Sequence, residues 1–237
     1  MEKQNINVDL NEVEKFNKIA HKWWDPSSEF KPLHDINPLR VNYINDLYPL
    51  DQKNILDVGC GGGILAESMA RLGGNVVGID QSEIAIKIAK LHAKENDLSI
   101  DYNLLNIEDF LKKDLKKFDV ITCLEMIEHV PDPASIITSC AKKLKKNGRL
   151  YVSTINRNLK AFLFAIVGAE YILNLLPKGT HHYDKFIKPS EVKSWANSLN
   201  MSISNITGMT YNPFLKKYSL GSDVSVNYIL ELRFNND

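Results

Sequence analysis

Short apolar runs alternate with amphipathic stretches through the middle of the chain. The pattern predicts strands at residues 54–58, 75–80, 99–105, 118–123 and 149–154. It predicts helices between them at residues 64–72, 82–96 and 132–146. Ser82 and Asp132 are the expected N-caps of the second and third of these helices, because their side-chain oxygens can accept hydrogen bonds from a first turn. Strands this apolar, alternating with helices, predict a parallel sheet covered on both faces.

The two ends of the chain follow a different pattern. Asp9 and Glu12 resemble a capping box ahead of an amphipathic helix, and Asn37-Pro38 is expected to open a second helix. Near the other end, strands are predicted at 201–209 and 225–234, joined by a turn-rich stretch without a helix. Two strands joined without a crossover helix should pair antiparallel. The sequence therefore predicts an α/β fold, with a doubly wound core, an antiparallel finish and an N-terminal helical cap.

Composition narrows the class of protein. The chain has 237 residues, of which 44% are hydrophobic and 24% charged, as expected for a globular domain. Its 29 basic and 29 acidic residues balance, which disfavours nucleic acid as a partner because such binding depends on phosphate neutralisation. The three cysteines have no disulfide or zinc spacing, and the first residues do not resemble a secretory signal. A cytoplasmic location is therefore predicted.

A glycine-rich segment between the first predicted strand and its helix is the clearest candidate binding site. Gly59, Gly61 and Gly63 allow a tight turn and close approach of a ligand to the backbone. Asp80 ends the next strand, where a carboxylate can accept hydrogen bonds from both ribose hydroxyls. Ile64 stands where a dinucleotide fingerprint would need its third glycine. The segment indicates a nucleoside ligand other than a dinucleotide.

This segment, with Asp57 ahead of it, resembles motif I of the class I S-adenosylmethionine-dependent methyltransferases. The resemblance implies a Rossmann-like, seven-stranded sheet with an antiparallel last strand. It also implies that Gly59 and Gly61 skirt the methionine moiety of the cofactor and that Asp80 binds the ribose. Asn106 and Leu124 fall where that family lines the adenine, although a loop and a core position explain them equally well.

Longer motifs resemble the ubiquinone-biosynthesis O-methyltransferases. They include WWD at 23–25, INPLR at 36–40, DVGCGGGILAESMAR at 57–71, EMIEHVPDP at 125–133 and PKGTH at 177–181. This resemblance implies methylation of catechol-type hydroxyls on polyprenylated aromatic rings, at both O-methylation steps of ubiquinone synthesis. It further implies association with other ubiquinone-biosynthesis enzymes in a complex, and it assigns Arg40 to the methionine carboxylate. The alternatives are an NAD-dependent oxidoreductase and a non-catalytic, membrane-associated nucleotide-binding protein.

Glu125, Glu128 and His129 are the candidate catalytic residues. At positions i, i+3 and i+4 of one helical turn, their side chains should point the same way. Together they could hold Mg²⁺ or a similar cation, which relatives are associated with, and lower the pKa of the phenol. Alternatively, His129 is a general base oriented by Glu128, or the three form a solvated acidic turn. His181 is a second candidate base.

An apolar stretch at 159–176 follows the fifth predicted strand. With its flanking basic residues it predicts either a lid or peripheral contact with the inner face of an anionic membrane. Glu170 and the short length of the stretch argue against a spanning helix. The chain is thus expected to form a single methyltransferase domain over 1–237. Its parts are a helical cap (1–50), a cofactor-binding core (51–156), the lid or membrane-contact insertion (157–189), and a C-terminal helix and hairpin (190–237).

Overall fold

The protein is described here from a computed structural model covering residues 7–113, 115–161, 183–212 and 215–235. Helix α1 (Leu10–Ile19) and α2 (Lys31–Leu47) precede the first strand, with a 3₁₀ turn between them. The core then alternates strands and helices: β1 (Asn54–Val58), α3 (Ile64–Arg71), β2 (Asn75–Asp80), α4 (Glu83–Glu95), β3 (Asp101–Leu104), α5 (Ile107–Lys113), β4 (Phe118–Leu124), α6 (Pro133–Lys143) and β5 (Leu144–Ile155). The remaining elements are α7 (Leu159–Ala161), α8 (Pro189–Ser198), β6 (Met201–Asn212), β7 (Lys217–Gly221) and β8 (Asn227–Phe234).

The described strands form one sheet in the order β3-β2-β1-β4-β5-β8-β6-β7. The first five are parallel, and β8 inserts antiparallel between β5 and β6. The predicted α/β fold with an antiparallel last strand is confirmed. The sheet has an eighth strand, β7, which pairs with the extended end of β6 in the stretch that was expected to hold only turns.

Alternation along the buried strands places successive side chains on opposite faces of the sheet. On β1, Leu56 and Val58 belong to a cluster with residues of α5, α6 and α8, whereas Ile55 belongs to a cluster with α2, α3 and α4. Both faces of β1 are therefore covered, which explains why β1 is apolar throughout. The cofactor-binding edge of the sheet is built on this doubly covered core.

The N-terminal cap differs from its expected form in two places. Helix α2 begins at Lys31, about two turns before Pro38, so Asn37-Pro38 lies inside the helix and does not open it. Asp9 caps α1 by accepting hydrogen bonds from the amides of Asn11 and Glu12, but Glu12 does not complete a capping box. Its carboxylate instead contacts His129 and two lysines, because these charged donors offer stronger hydrogen bonds than a backbone amide.

Most of the predicted insertion after β5 lies outside the described residues. Of the apolar stretch 159–176, the structure describes only α7, where Ala161 packs against Ile155 and Phe186. His181 also lies outside them. Among the helices in the described part of the chain, none has the length and apolar character needed to cross a bilayer.

Candidate active site

A single connected cavity lies at the carboxyl edge of the parallel strands and brings most of the predicted site residues together. Its walls come from α1, α2 and the loops that follow β1, β2, β3 and β4. The predicted residues that line it are Arg40, Gly59, Gly61, Asp80, Asn106, Leu124, Glu125 and His129. Ligands of open α/β sheets bind at this edge, where the strand order reverses. Here the reversal falls between β1 and β4.

The glycine loop is packed so tightly that side chains would not fit. Gly61 has φ +52°, and a Cβ there would lie 2.1 Å from the ring of Trp23. The neighbouring Trp24 donates a hydrogen bond from Nε1 to the carbonyl of Gly62 at 2.9 Å, and its ring stacks on His92. Both tryptophans come from the segment between α1 and α2, so the N-terminal cap holds the loop from outside the sheet. Sequence reasoning did not assign this role to them.

Asp80 is oriented by backbone amides at the end of β2. Its carboxylate accepts hydrogen bonds from the amide of Gly61 at 2.9 Å and from that of Ser82 at 2.7 Å. Burial raises the pKa of Asp80, and these hydrogen bonds oppose the rise. Each carboxylate oxygen has a further lone pair, so the side chain can accept two more hydrogen bonds. This arrangement suits a pair of ribose hydroxyls.

Arg40 is a buried cation that keeps an unpaired hydrogen-bond donor. It extends from α2 to the cavity, where Nη2 lies 2.8 Å from Oε1 of Glu125. The residue is 5% exposed, and its Nε atom makes no hydrogen bond to any described residue. Buried guanidinium groups without acceptors are costly, so this geometry fits a ligand that carries a carboxylate. The methionine moiety of S-adenosylmethionine carries such a group.

Asn106 and Leu124 line the cavity, but neither contributes distinctive chemistry there. The Asn106 carbonyl oxygen caps α5 by accepting from the amide of Asp109 at 2.7 Å, and its amide group donates to the Asp109 carboxylate. Leu124 is a largely buried residue at the end of β4. Their contact with adenine stays a prediction. Met126, which sequence reasoning missed, also lines the cavity and packs beside Gly59.

Glu125, Glu128 and His129 do not converge, contrary to the helical spacing argument. Glu125 has a left-handed φ of 52°, and only Ile127–His129 form a 3₁₀ turn, so the three do not share one helical face. Glu125 accepts from the Ser153 hydroxyl at 2.7 Å and pairs with Arg40. The described residues contain no group of three or more His, Cys, Asp or Glu side chains able to hold a metal ion. In this arrangement the three residues do not fit a magnesium site.

Glu128 lies behind the wall of the cavity and not on it. It is 4% exposed, is absent from the residues that line the cavity, and neither carboxylate oxygen makes a hydrogen bond to a described residue. Burial and the charge of Glu125 raise the pKa of Glu128 to about 7, although His129 opposes this. Glu128 does not contact the cavity directly, so the structure gives it no catalytic contact of the kind that the sequence predicted.

His129 is the titratable side chain that combines cavity access with a firm orientation. Its Nδ1 lies 2.9 Å from Oε2 of Glu12, and the ring meets Phe16 edge-on, with ring centroids 5.3 Å apart. Burial lowers the pKa of His129, but the hydrogen bond to Glu12 and the nearby carboxylates outweigh it, so the pKa is raised. Glu12 was missed as a site residue because 117 positions separate it from His129.

Comparison with known proteins places this geometry in a family. A family model described as a methyltransferase domain matches residues 38–203. The ubiquinone biosynthesis O-methyltransferase of Hahella chejuensis is 57% identical over 224 residues, 94% of each chain. The chain belongs to the ubiquinone biosynthesis O-methyltransferase family.

Other similarities agree with this membership. The ubiquinone biosynthesis O-methyltransferase of Nitrosomonas europaea is 55% identical over 234 residues, which are 98% of this chain and the whole of the relative. The solved structure of magnesium protoporphyrin IX methyltransferase from Synechocystis, with bound SAH, superposes with a TM-score of 0.71. It covers 96% of this chain and 100% of its own at 20% identity, which supports the methyltransferase fold.

Proposed function

We propose that the protein is an S-adenosylmethionine-dependent O-methyltransferase acting on catechol-type hydroxyls of polyprenylated aromatic rings, at both O-methylation steps of ubiquinone biosynthesis. The observation that carries the proposal is the shared cavity of Arg40, Asp80 and His129 at the carboxyl edge of the sheet, in a member of this family. A cation for a carboxylate, an acceptor for ribose and a base for a phenol are the three groups that such a reaction needs.

The cofactor half of the cavity supplies the first two groups. When bound, S-adenosylmethionine contributes a methyl group already activated on a sulfonium centre. Arg40 has an unpaired Nε donor for the methionine carboxylate, beside the Nη2 that it shares with Glu125, and Asp80 has free lone pairs for the ribose hydroxyls. Gly59 and Gly61 allow the loop to pack closely against its neighbours beside the cavity, because a side chain at Gly59 would collide with Met126 and one at Gly61 with Trp23. These residues bind and orient, and alignment is the main requirement of methyl transfer.

His129 supplies the third group. A phenol is a weak nucleophile until its proton is removed, and His129 lies at the cavity with one ring nitrogen held by Glu12. The other nitrogen, Nε2, would accept the phenolic proton as the oxygen bonds to the methyl carbon and the methyl–sulfur bond breaks, with S-adenosylhomocysteine as the leaving group. A raised pKa makes His129 a stronger base, which favours proton removal from a phenol. No step requires the buried carboxyl of Glu128.

The test is a methylation assay with two short-tailed substrates, a demethylubiquinol and a polyprenyl-hydroxyphenol. We expect both to be methylated, and we expect His129→Ala to lower kcat by about 100-fold or more, as for loss of a general base. Isothermal titration should show binding of S-adenosylhomocysteine and none of NAD. Binding of NAD without methyl transfer would favour an oxidoreductase, and cofactor binding without turnover of either substrate would favour a non-catalytic protein.

Peripheral contact with an anionic membrane belongs to the same proposal. The support is the sequence of residues 159–176, rich in Phe, Leu and Ile and flanked by Arg157, Lys160 and Lys178. A polyprenylated substrate resides in the bilayer, so such contact would bring the enzyme to it. Wild-type protein should float with anionic liposomes at low salt, whereas the Phe162→Ser, Phe164→Ser, Ile166→Ser triple variant should not. Wild-type protein that stays unbound at low salt would contradict the proposal.

A complex with other ubiquinone-biosynthesis enzymes and a role for Mg²⁺ stay predictions. Co-purification of those enzymes with the tagged protein tests the first. The side chains of Glu125, Glu128 and His129 do not form a ligand set in this structure, so the reaction above is written with His129 as base and without a step through a cation.

A further inference from the structure

Two side chains from one face of α1 contact the imidazole of His129. Glu12 reaches Nδ1 with its Oε2 atom at 2.9 Å, and Phe16, one turn later, packs edge-on against the ring with an interplanar angle of 86°. Residues four apart lie on the same side of a helix, so the docked helix delivers both contacts at once. The ring is thereby fixed in position and in rotation.

The chemistry of the contact also fixes where the proton sits on the ring. A carboxylate with a strongly lowered pKa is ionised and can only accept, so Nδ1 of His129 must donate to Glu12. In the neutral ring the lone pair then belongs to Nε2, the nitrogen that a base must present to its substrate. Without Glu12, the ring would be free to rotate and to carry its proton on either nitrogen.

Glu12 is itself held by several cations. Its Oε1 atom lies 3.0 Å from Nζ of Lys15 and 3.2 Å from Nζ of Lys185, and Lys185 also contacts Asp9 at 3.1 Å. Glu12 is 5% exposed, which is rare for a helical glutamate unless it is paired. Lys185 lies just ahead of α8, so both the N-terminal cap and the end of the insertion (157–189) contribute to the position of this carboxylate.

We infer that Glu12 is a positioning residue for the reaction, which orients His129 and, in the neutral ring, places the lone pair on Nε2 for the substrate. The inference rests on the proposed role of His129 as the base. It assigns to α1, which precedes the methyltransferase domain match at 38–203, a part in assembling the catalytic histidine. Docking of α1 therefore completes the active site as well as covering it.

Kinetics of Glu12→Ala test the inference. We expect kcat to fall by about 10- to 100-fold, which is part of the roughly 100- to 10,000-fold that a positioned general base contributes. The Kd for S-adenosylhomocysteine and the KM for the cofactor should stay within about twofold of wild type, because Glu12 acts on the base. Glu14→Ala is the matched control, since Glu14 is an exposed glutamate on the same helix and should leave kcat unchanged.

A double variant separates positioning from general damage. In a His129→Ala background, Glu12→Ala should cause no further loss of kcat, because the residue through which it acts is gone. If the losses of kcat in the two single variants multiply in the double variant, that result would overturn the inference. So would a wild-type kcat in Glu12→Ala alongside a strong loss in His129→Ala, and this result would leave the proposed function intact.

A spectroscopic measurement tests the position of the proton on the ring without turnover. Nitrogen NMR of ¹⁵N-histidine-labelled protein, at a pH where the ring is neutral, should show the Nδ1–H form of His129 in wild type and its loss in Glu12→Ala. Glu12→Gln keeps the size and an acceptor oxygen, so it should retain the fold and an intermediate share of that form. The Nε2–H form in wild type would overturn the inference, whereas a wild-type kcat in His129→Ala would overturn both the base and its positioning.

Discussion

Removal of the Asp80 carboxylate should weaken cofactor binding by an amount that its contacts allow us to work out. Two charge-assisted hydrogen bonds to ribose hydroxyls are each worth about 1.5–3 kcal/mol. In Asp80→Ala, water entering the vacated space would recover part of this, so we expect a net loss of about 2–3 kcal/mol. At 1.4 kcal/mol for each tenfold change, the Kd for S-adenosylhomocysteine should rise roughly 30- to 140-fold.

The contacts of Asp80 with the backbone add a complication that a second variant resolves. Asp80 also holds the amides of Gly61 and Ser82, so Asp80→Ala could weaken binding by releasing the loop. Asp80→Asn keeps an acceptor oxygen for only one of those two amides. It should raise Kd by about tenfold, less than Asp80→Ala, because the charge is lost but part of the loop contact is kept. Asp101→Ala removes an exposed carboxylate from the neighbouring strand and serves as the control, with Kd unchanged.

Isothermal titration across a pH series makes the test specific to the ionised carboxylate. Burial raises the pKa of Asp80, and ribose hydroxyls bind the ionised form, so affinity should be full above that pKa and fall as pH drops through it. Asp80→Asn should lack this dependence. A folded Asp80→Ala protein with the wild-type Kd would remove Asp80 from the binding site and refute the reasoning.

Three further predictions concern metal, backbone and charge. In excess chelator, turnover should persist, because Glu125 is paired with Arg40, His129 is paired with Glu12, and Glu128 is buried away from the cavity. Loss of turnover that magnesium restores would mean that they rearrange around a cation. Gly61→Ala should weaken S-adenosylhomocysteine binding more than tenfold, because its Cβ would overlap Trp23, whereas Gly221→Ala, in open space, should bind normally. The pKa values of Asp57 and Glu128 are raised to about 7, so between pH 5 and 7 the folded state holds protons that the unfolded state has released. The Tm of the free protein should therefore fall as pH rises from 5 to 8, less steeply in Asp57→Asn, and a Tm that rises over this range would contradict the assignment.

The predictable part of the site is the part encoded locally. Gly61 and Asp80 each stand directly after an apolar strand, and parallel strands bring such positions to one edge whatever the details of packing. The core strands and the antiparallel C-terminal strands could be predicted for the same reason, since a local run of apolar residues indicates each of them. Arg40 was assigned through resemblance, and the structure adds a buried, unpaired Nε donor that gives the assignment a physical basis.

The unpredictable part depends on contacts between distant segments or on one backbone angle. Glu12 was interpreted as a capping residue, because nothing near it in sequence indicates that His129 will lie 2.9 Å away. The helical alignment of Glu125 with His129 failed because a single left-handed φ at Glu125 turns it toward Arg40 and Ser153. Strand β7 was missed because its alternating residues are half exposed and carry little apolar signal.

The position of β8 has a consequence for how the chain is made. On the ribosome β5, β6 and β7 emerge before β8, yet β8 lies between β5 and β6 and pairs with both along most of its length. Until it arrives, β5 presents an unpaired edge and the β6–β7 pair has nothing to join, and such exposed edges are prone to pair with other chains. Completion of the sheet must therefore follow synthesis of β8, and until then the edges of β5 and β6 are open to pairing with other chains.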